Sequence, residues 1–220
     1  MLPTTAAELA PIEDVLSVPR VSTYRVAVGG DLRAALELYG WNAEISAALM
    51  LPAHFAEVAT RNAACDALSA VYGPRWPWNQ SFELSLTNSG TYNPRRDLIE
   101  TRKRQSTPGK VVAELKFVFW QRLFTSRFDT RLWDGRILTV FPHAPAGTAE
   151  ASLRARIYAD LDAIRKLRNR LAHHEPIFTR NLGDDLARML ELIEIRSRET
   201  GTWVRGLETA SSLVTVRPSP

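Results

Sequence analysis

Between residues 148 and 174, apolar side chains return every three or four positions: Leu153, Ile157, Leu161, Ile164, Leu167 and Leu171. That is the period of an α-helix, and it gathers all six on one side, so the segment needs a core to face. Almost nowhere does the chain alternate apolar and polar residues with the period of two that a half-buried strand requires. These patterns predict an all-α fold, a helical bundle with additional helices, about six or seven segments in all. With 220 residues, 45% hydrophobic and 24% charged, the chain has the balance of a folded domain rather than a disordered one.

Prolines and glycines punctuate the rest. Residues 1–30 carry Pro3, Pro11, Pro19 and Gly29-Gly30 and read as a loosely structured lead-in. Asp31 caps a helix whose apolar side is Leu32, Ala35, Leu36 and Leu38, and Gly40 ends it. Trp41 to Val71 encloses Pro52, which predicts two helices or one kinked helix, stopped at Gly73-Pro74. Trp76-Pro77-Trp78 forms an aromatic loop. Its tryptophans either stack on bases or, more ordinarily, pack into the protein.

Residues 79–93 read as a loop with a short apolar piece, Phe82 to Leu86. Asn93-Pro94 opens a helix that Thr107-Pro108-Gly109 breaks, and Val111 to Phe128 reads as one buried helix. A connection holding Trp133, Phe141 and Pro142 leads to the linker Ala144–Gly147. Pro176 closes the helix of residues 148–174, and a last helix spans about Gly183 to Arg198. Residues 199–220 read as a ragged tail with an extended piece at Leu213–Val216. One helical domain over residues 31–198, between lead-in and tail, is the expected organisation.

Several function classes are disfavoured. Cys65 is the single cysteine, so no intrachain disulfide or thiolate metal cluster can form. His54, His143, His173 and His174 lack zinc-site spacing, and no metal or cofactor is expected. Charges interrupt every apolar stretch before it could span a bilayer. The N-terminus, with Glu8, Glu13 and Asp14, lacks the order of a signal peptide, so a cytoplasmic protein with no membrane partner is expected. The formal net charge of +4 makes a polyanion, RNA first, the partner to consider. The excess of arginine over the lysines Lys103, Lys110, Lys116 and Lys166 can equally reflect genome composition.

The densest polar run is Arg165, Lys166, Arg168, Asn169, Arg170, His173, His174 and Glu175. With Arg168 at zero on the helical wheel, Asn169 falls at about 100° and His173 at about 140°, away from the leucines and isoleucines. These three share a flank that the core does not consume, whereas His174 falls near Leu167 and reads as partly tucked in. Histidine moves protons near neutral pH, arginine holds phosphate and its developing charge, and an asparagine amide orients either. RNA carries its own nucleophile, the 2′-hydroxyl, so proton transfer and electrostatic stabilisation suffice to cut it. Two-proton chemistry is easier with two histidines, which predicts a composite site at a homodimer interface. The alternative is an ordinary helix C-terminus decorated with cations that suit the helix dipole.

Arg168-Asn169-Arg170-Leu171-Ala172-His173-His174-Glu175 resembles the motif of Abi-like bacterial proteins, the abortive-infection group placed among HEPN domains. Further pieces match in the same order: Tyr39-Gly40-Trp41-Asn42, Glu57-Val58-Ala59-Thr60-Arg61-Asn62, Tyr72-Gly73-Pro74-Arg75-Trp76, Gly109-Lys110-Val111-Val112-Ala113-Glu114-Leu115, Phe119-Trp120 and Leu132-Trp133. The resemblance covers residues 30 to 195. It implies a dimerising helical bundle, often a metal-independent endoribonuclease, acting in phage defence or as a toxin held by an antitoxin RNA or protein. It gives Arg168 the phosphate, His173 the proton transfer and Asn169 the role of polar helper. The family's spacing is variable, so His174 is the secondary candidate for the motif histidine. Where some relatives carry a modifiable tyrosine two residues after the histidine, this chain has Glu175.

Two other features bear on RNA. Glu57 and Arg61 have helix salt-bridge spacing, and the alternative is that Arg61 and Asn62 face the groove of His173, which makes Arg61 a secondary site candidate. Arg95, Arg96, Arg102, Lys103 and Arg104 could track an RNA backbone, or simply decorate a solvated helix. If the basic face binds but nothing cuts, the chain is an RNA-binding module holding a structured regulatory RNA. Without RNA affinity it is a structural partner in a defence system.

Overall fold

The prolines that make residues 1–30 read as loose do not keep the stretch from being helical, although Pro11 lies inside its first helix. In the computed structural model, which describes residue 2 and residues 5–218, this stretch forms α1 (Ala6–Leu16) and α2 (Val18–Ala27). Pro19 lies in the first turn of α2, where its missing N–H costs nothing. Val21 and Tyr24 anchor α2 in the core. Pro3 lies outside the described residues.

Next comes α3 (Leu32–Tyr72), 41 residues long. Asp31 caps it as its carboxylate accepts from the Ala34 amide at 2.6 Å. Gly40 does not end it, contrary to the sequence reading, and of the two alternatives at Pro52 the single helix is the one that forms. Trp41, Ile45, Leu49, Ala53 and Ala56 bury one continuous stripe, and that packing outweighs propensity costs of about 1 kcal/mol for the glycine and about 3 kcal/mol for the proline.

Beyond a 3₁₀ turn at Trp76–Trp78 lie α4 (Gln80–Ser85), α5 (Pro94–Arg104), α6 (Pro108–Glu114) and α7 (Phe117–Leu123). The expected loop at 79–93 is thus helical in its first part, where Asn79 caps the Phe82 amide. The expected helix from Val111 to Phe128 is broken at Leu115 and Lys116, both extended. This region holds an aromatic block. Trp76 meets Phe82 edge-on at 5.3 Å and Trp120 at 6.1 Å, and Phe124 stacks on Trp133 at 4.4 Å. Trp76 therefore serves the core, while Trp78 lies under the Arg75 guanidinium at 4.9 Å.

After a 3₁₀ turn at Ser126–Phe128 and a π turn at Asp129–Trp133 come α8 (Ile137–Val140), α9 (Glu150–Ala172) and α10 (Leu182–Arg196). The six apolar residues of α9 are all buried, and α9 packs on α3, α7, α8 and α10. The expected tail is helical as well, as α11 (Arg198–Leu207) and α12 (Ala210–Thr215), so Leu213–Thr215 are not extended. Gly201 lets α11 lie on α10, because a side chain there would meet Glu194 Cβ at 3.1 Å. The Trp41 indole donates to Leu213 O at 2.8 Å and ties α12 to α3. The fold is an all-α bundle, with no strand among the described residues and no helix long and apolar enough to cross a membrane.

Candidate functional site at the end of α9

At its C-terminus α9 leaves the helix by a particular backbone turn. The Glu175 amide donates to Arg170 O at 2.9 Å and the His174 amide to Leu171 O at 3.1 Å. This is a Schellman motif, with His174 in its left-handed position at φ 54°. Histidine is among the few non-glycine residues enriched in that region. The positive φ rotates His174 off the helical wheel, so it is exposed rather than tucked against Leu167.

The corner after this turn is clamped to two other helices. Arg20 of α2 donates to His174 O at 3.0 Å. Asn42 of α3, itself buried, accepts from the Ile177 amide at 2.8 Å. Ile177 and Phe178 enter the core, where Phe178 packs against Tyr24 at 5.1 Å. Residues 173–176 are thereby held at the surface with a fixed course.

On this frame Asn169 and His173 are exposed. Arg168 is 42% exposed, and its Nε lies 3.3 Å from Glu57 Oε2 on α3. The outer guanidinium nitrogens of Arg168 have no partner among the described residues and can reach a ligand. Among those residues no side-chain hydrogen bond joins Arg168, Asn169 and His173 to one another; only the helix backbone links them, the His173 amide donating to Asn169 O at 3.0 Å. They share a flank rather than a network.

Glu57 is the residue that the sequence misassigns. Its i,i+4 spacing to Arg61 predicts a bridge within α3, yet it turns across to Arg168. Arg61 is left with a buried Nε that has no hydrogen-bond acceptor among the described residues. Only the packing of α3 on α9 could reveal that choice, because no local spacing links residues 57 and 168. Arg61 lies beside Cys65, whose thiol burial pushes up to about 12 despite the opposing Arg61 charge.

The basic helix α5 is a different environment. Arg95 donates to Glu83 Oε1 at 3.2 and 3.1 Å, and Arg102 donates to Glu83 Oε2 at 2.5 Å and to Pro77 O at 3.0 Å. Lys103 pairs with Glu100, and Arg104 with Glu114. Of the five candidate RNA contacts, only Arg96 has an exposed side chain with no carboxylate partner among the described residues. Elsewhere the described residues bring together no group of three or more His, Cys, Asp or Glu side chains able to hold a metal.

Neither a family profile, nor a curated protein, nor a solved structure matches the chain. What the site can do follows from its own side chains: an exposed imidazole and amide beside a guanidinium braced from behind by a carboxylate.

Proposed function

We propose that this chain is a metal-independent endoribonuclease of the HEPN kind, acting in phage defence or as a toxin. The observation that carries this reading is the exposed Asn169–His173 flank of α9 beside an Arg168 that Glu57 braces. In the reaction, the His173 imidazole takes the proton from an RNA 2′-hydroxyl. The oxygen then attacks the adjacent phosphorus, and the bond to the 5′-oxygen of the next nucleotide breaks. Arg168 neutralises charge growing on the phosphoryl oxygens, and Asn169 orients the phosphate or the imidazole.

The departing 5′-oxygen needs a proton, and a single chain offers one imidazole on this flank. A second copy, related by two-fold symmetry, would supply the acid. The products are a 2′,3′-cyclic phosphate and a 5′-hydroxyl. The ordered motif resemblance to Abi-like proteins supports the same reading.

The test is incubation of RNA with the protein and with its His173→Ala variant, both in excess chelator. Cyclic-phosphate ends from the unaltered protein alone are the expected result. Equal RNA loss with both proteins, or cleavage only on adding magnesium, overturns the proposal. Light scattering of the same sample reads the mass expected for a dimer.

A further inference from the structure

A cavity of about 330 Å³ opens where the loop of residues 86–93, between α4 and α5, faces the end of α7 and the 3₁₀ turn after it. Its floor is apolar, from the buried Leu86, Pro94 and Phe128. Its rim is polar, with Thr87, Ser89 and Thr91 from the loop. Arg122 and Arg127 stand at the wall, and no carboxylate lines it. The adjoining cleft on α5 contains Asp97, Glu100 and Glu114, and clefts between α9 and α10 likewise contain aspartate. In a molecule that pairs most of its arginines with acids, two guanidinium groups facing one acid-free cavity point to an anion supplied from outside.

The two arginines are held differently. Arg127 donates from Nε to Ser85 O at 2.9 Å, which aims its fork and leaves the outer nitrogens without a partner among the described residues. The Arg122 guanidinium has no hydrogen-bond or ion-pair partner among those residues, and its charge acts on the Tyr92 hydroxyl at the cavity wall. Tyr92 donates to Asp97 Oδ2 at 2.6 Å, so its ring is fixed and that carboxylate is turned away from the cavity. Gly90, at φ 94°, makes the loop turn that carries Ser89 and Thr91 to the rim.

The size is that of a small-ligand site, and the lining joins two phosphate-binding forks to an apolar, aromatic face. We propose that this cavity binds a nucleotide phosphomonoester, with Arg122 and Arg127 on the phosphate and the base against Tyr92. The monoester can come from a free nucleoside monophosphate or from the phosphorylated end of a strand. The site is separate from the α9 flank and does not depend on cleavage there.

Calorimetric titration with AMP, adenosine and a 5′-phosphorylated deoxyoctanucleotide tests it, since a deoxy strand lacks the 2′-hydroxyl that cleavage would use. Saturable AMP binding is expected, with adenosine weaker by about tenfold or more, the loss appropriate to charge-assisted hydrogen bonds. Arg122→Gln removes a side chain without partners and should weaken AMP by a similar factor while the melting temperature stays put. Tighter binding of the octanucleotide than of AMP assigns the site to strand ends, and equal binding assigns it to free nucleotide. Absence of saturable binding to either, adenosine binding as tightly as AMP, or affinity untouched by Arg122→Gln overturns the proposal.

Discussion

The helix α5 and the C-terminal end of α9 look alike in sequence, since each packs several cations into about three turns. In the folded protein they differ. On α5, Glu83 takes both Arg95 and Arg102, Glu100 takes Lys103 and Glu114 takes Arg104. On α9 the cations are paired too, Arg165 and Lys166 with Asp162, Arg168 with Glu57 and Arg170 with Glu175, and what stays open there is uncharged polar chemistry: the side chains of Asn169, His173 and His174 have no hydrogen-bond or ion-pair partner among the described residues. Written charge is therefore a poor guide to available charge. A cation tied at close range to a buried or half-buried acid is a structural element, and only the remainder can meet a polyanion.

The largest effect that would break the comparison is at His173. Replacing it by alanine should cost about 10²–10⁴-fold in RNA cleavage with no loss of stability, because the side chain is exposed. Cleavage rates measured beside thermal melts check this. His174→Ala should leave chemistry nearly intact, and equal losses from both variants would erase the distinction between the two histidines.

The next effect is on stability. Burial raises the Glu83 carboxyl pKa, but hydrogen bonds from Arg102 and Arg95 outweigh burial and hold it below the ordinary carboxylate range. A lowered folded-state pKa gives stability that is present above the unfolded value and lost as pH falls through the folded one. Glu83→Gln should therefore destabilise at neutral pH by about 1–2 kcal/mol in urea unfolding. The two unfolding curves should converge as pH drops below about 4. A difference independent of pH would mean that Glu83 acts through packing alone.

Smaller still is the effect on RNA affinity along α5. Arg96→Gln should lower the slope of log affinity against log salt by about one if α5 touches phosphates. Lys103→Gln removes a cation already paired with Glu100 and should leave filter-binding curves unchanged at low salt. Comparable losses from both variants would mean that pairing on α5 gives way when RNA arrives.

The smallest expected change is chemical. Burial lifts the Cys65 thiol to about 12, so iodoacetamide at pH 8 should label it only after denaturant is added. Rapid labelling of native protein would show that the α3 face around Arg61 opens.

How much could be read in advance depended on whether a signal was local. The six-residue stripe of α9, the Asp31 cap and the Asn93-Pro94 start are patterns within a single turn or along a single face, and each forms as written. Thr5-x-x-Glu8 offered an equally local signal for α1, with the Glu8 carboxylate accepting from the Thr5 amide at 3.2 Å, but Pro11 and Pro19 obscured it. Gly40 misled in the same way, since burial along α3 overrides what single residues prefer. At the site, the exposed flank of Arg168, Asn169 and His173 was legible from helical angles. Its supports were not, because Glu57, Asn42 and Arg20 reach it from 111, 135 and 154 residues away.

That last fact gives α3 a mechanical meaning. Asn42 and Glu57 sit on one rod, fifteen positions apart, or about 22 Å at the helical rise. One end fixes the chain beyond His174 and the other fixes the guanidinium before His173, so the distance across the corner is gauged by a single measuring stick. Pro52 lies between the two marks. Anything that bends α3 at Pro52 would shorten the gauge and move arginine and imidazole relative to each other without touching either.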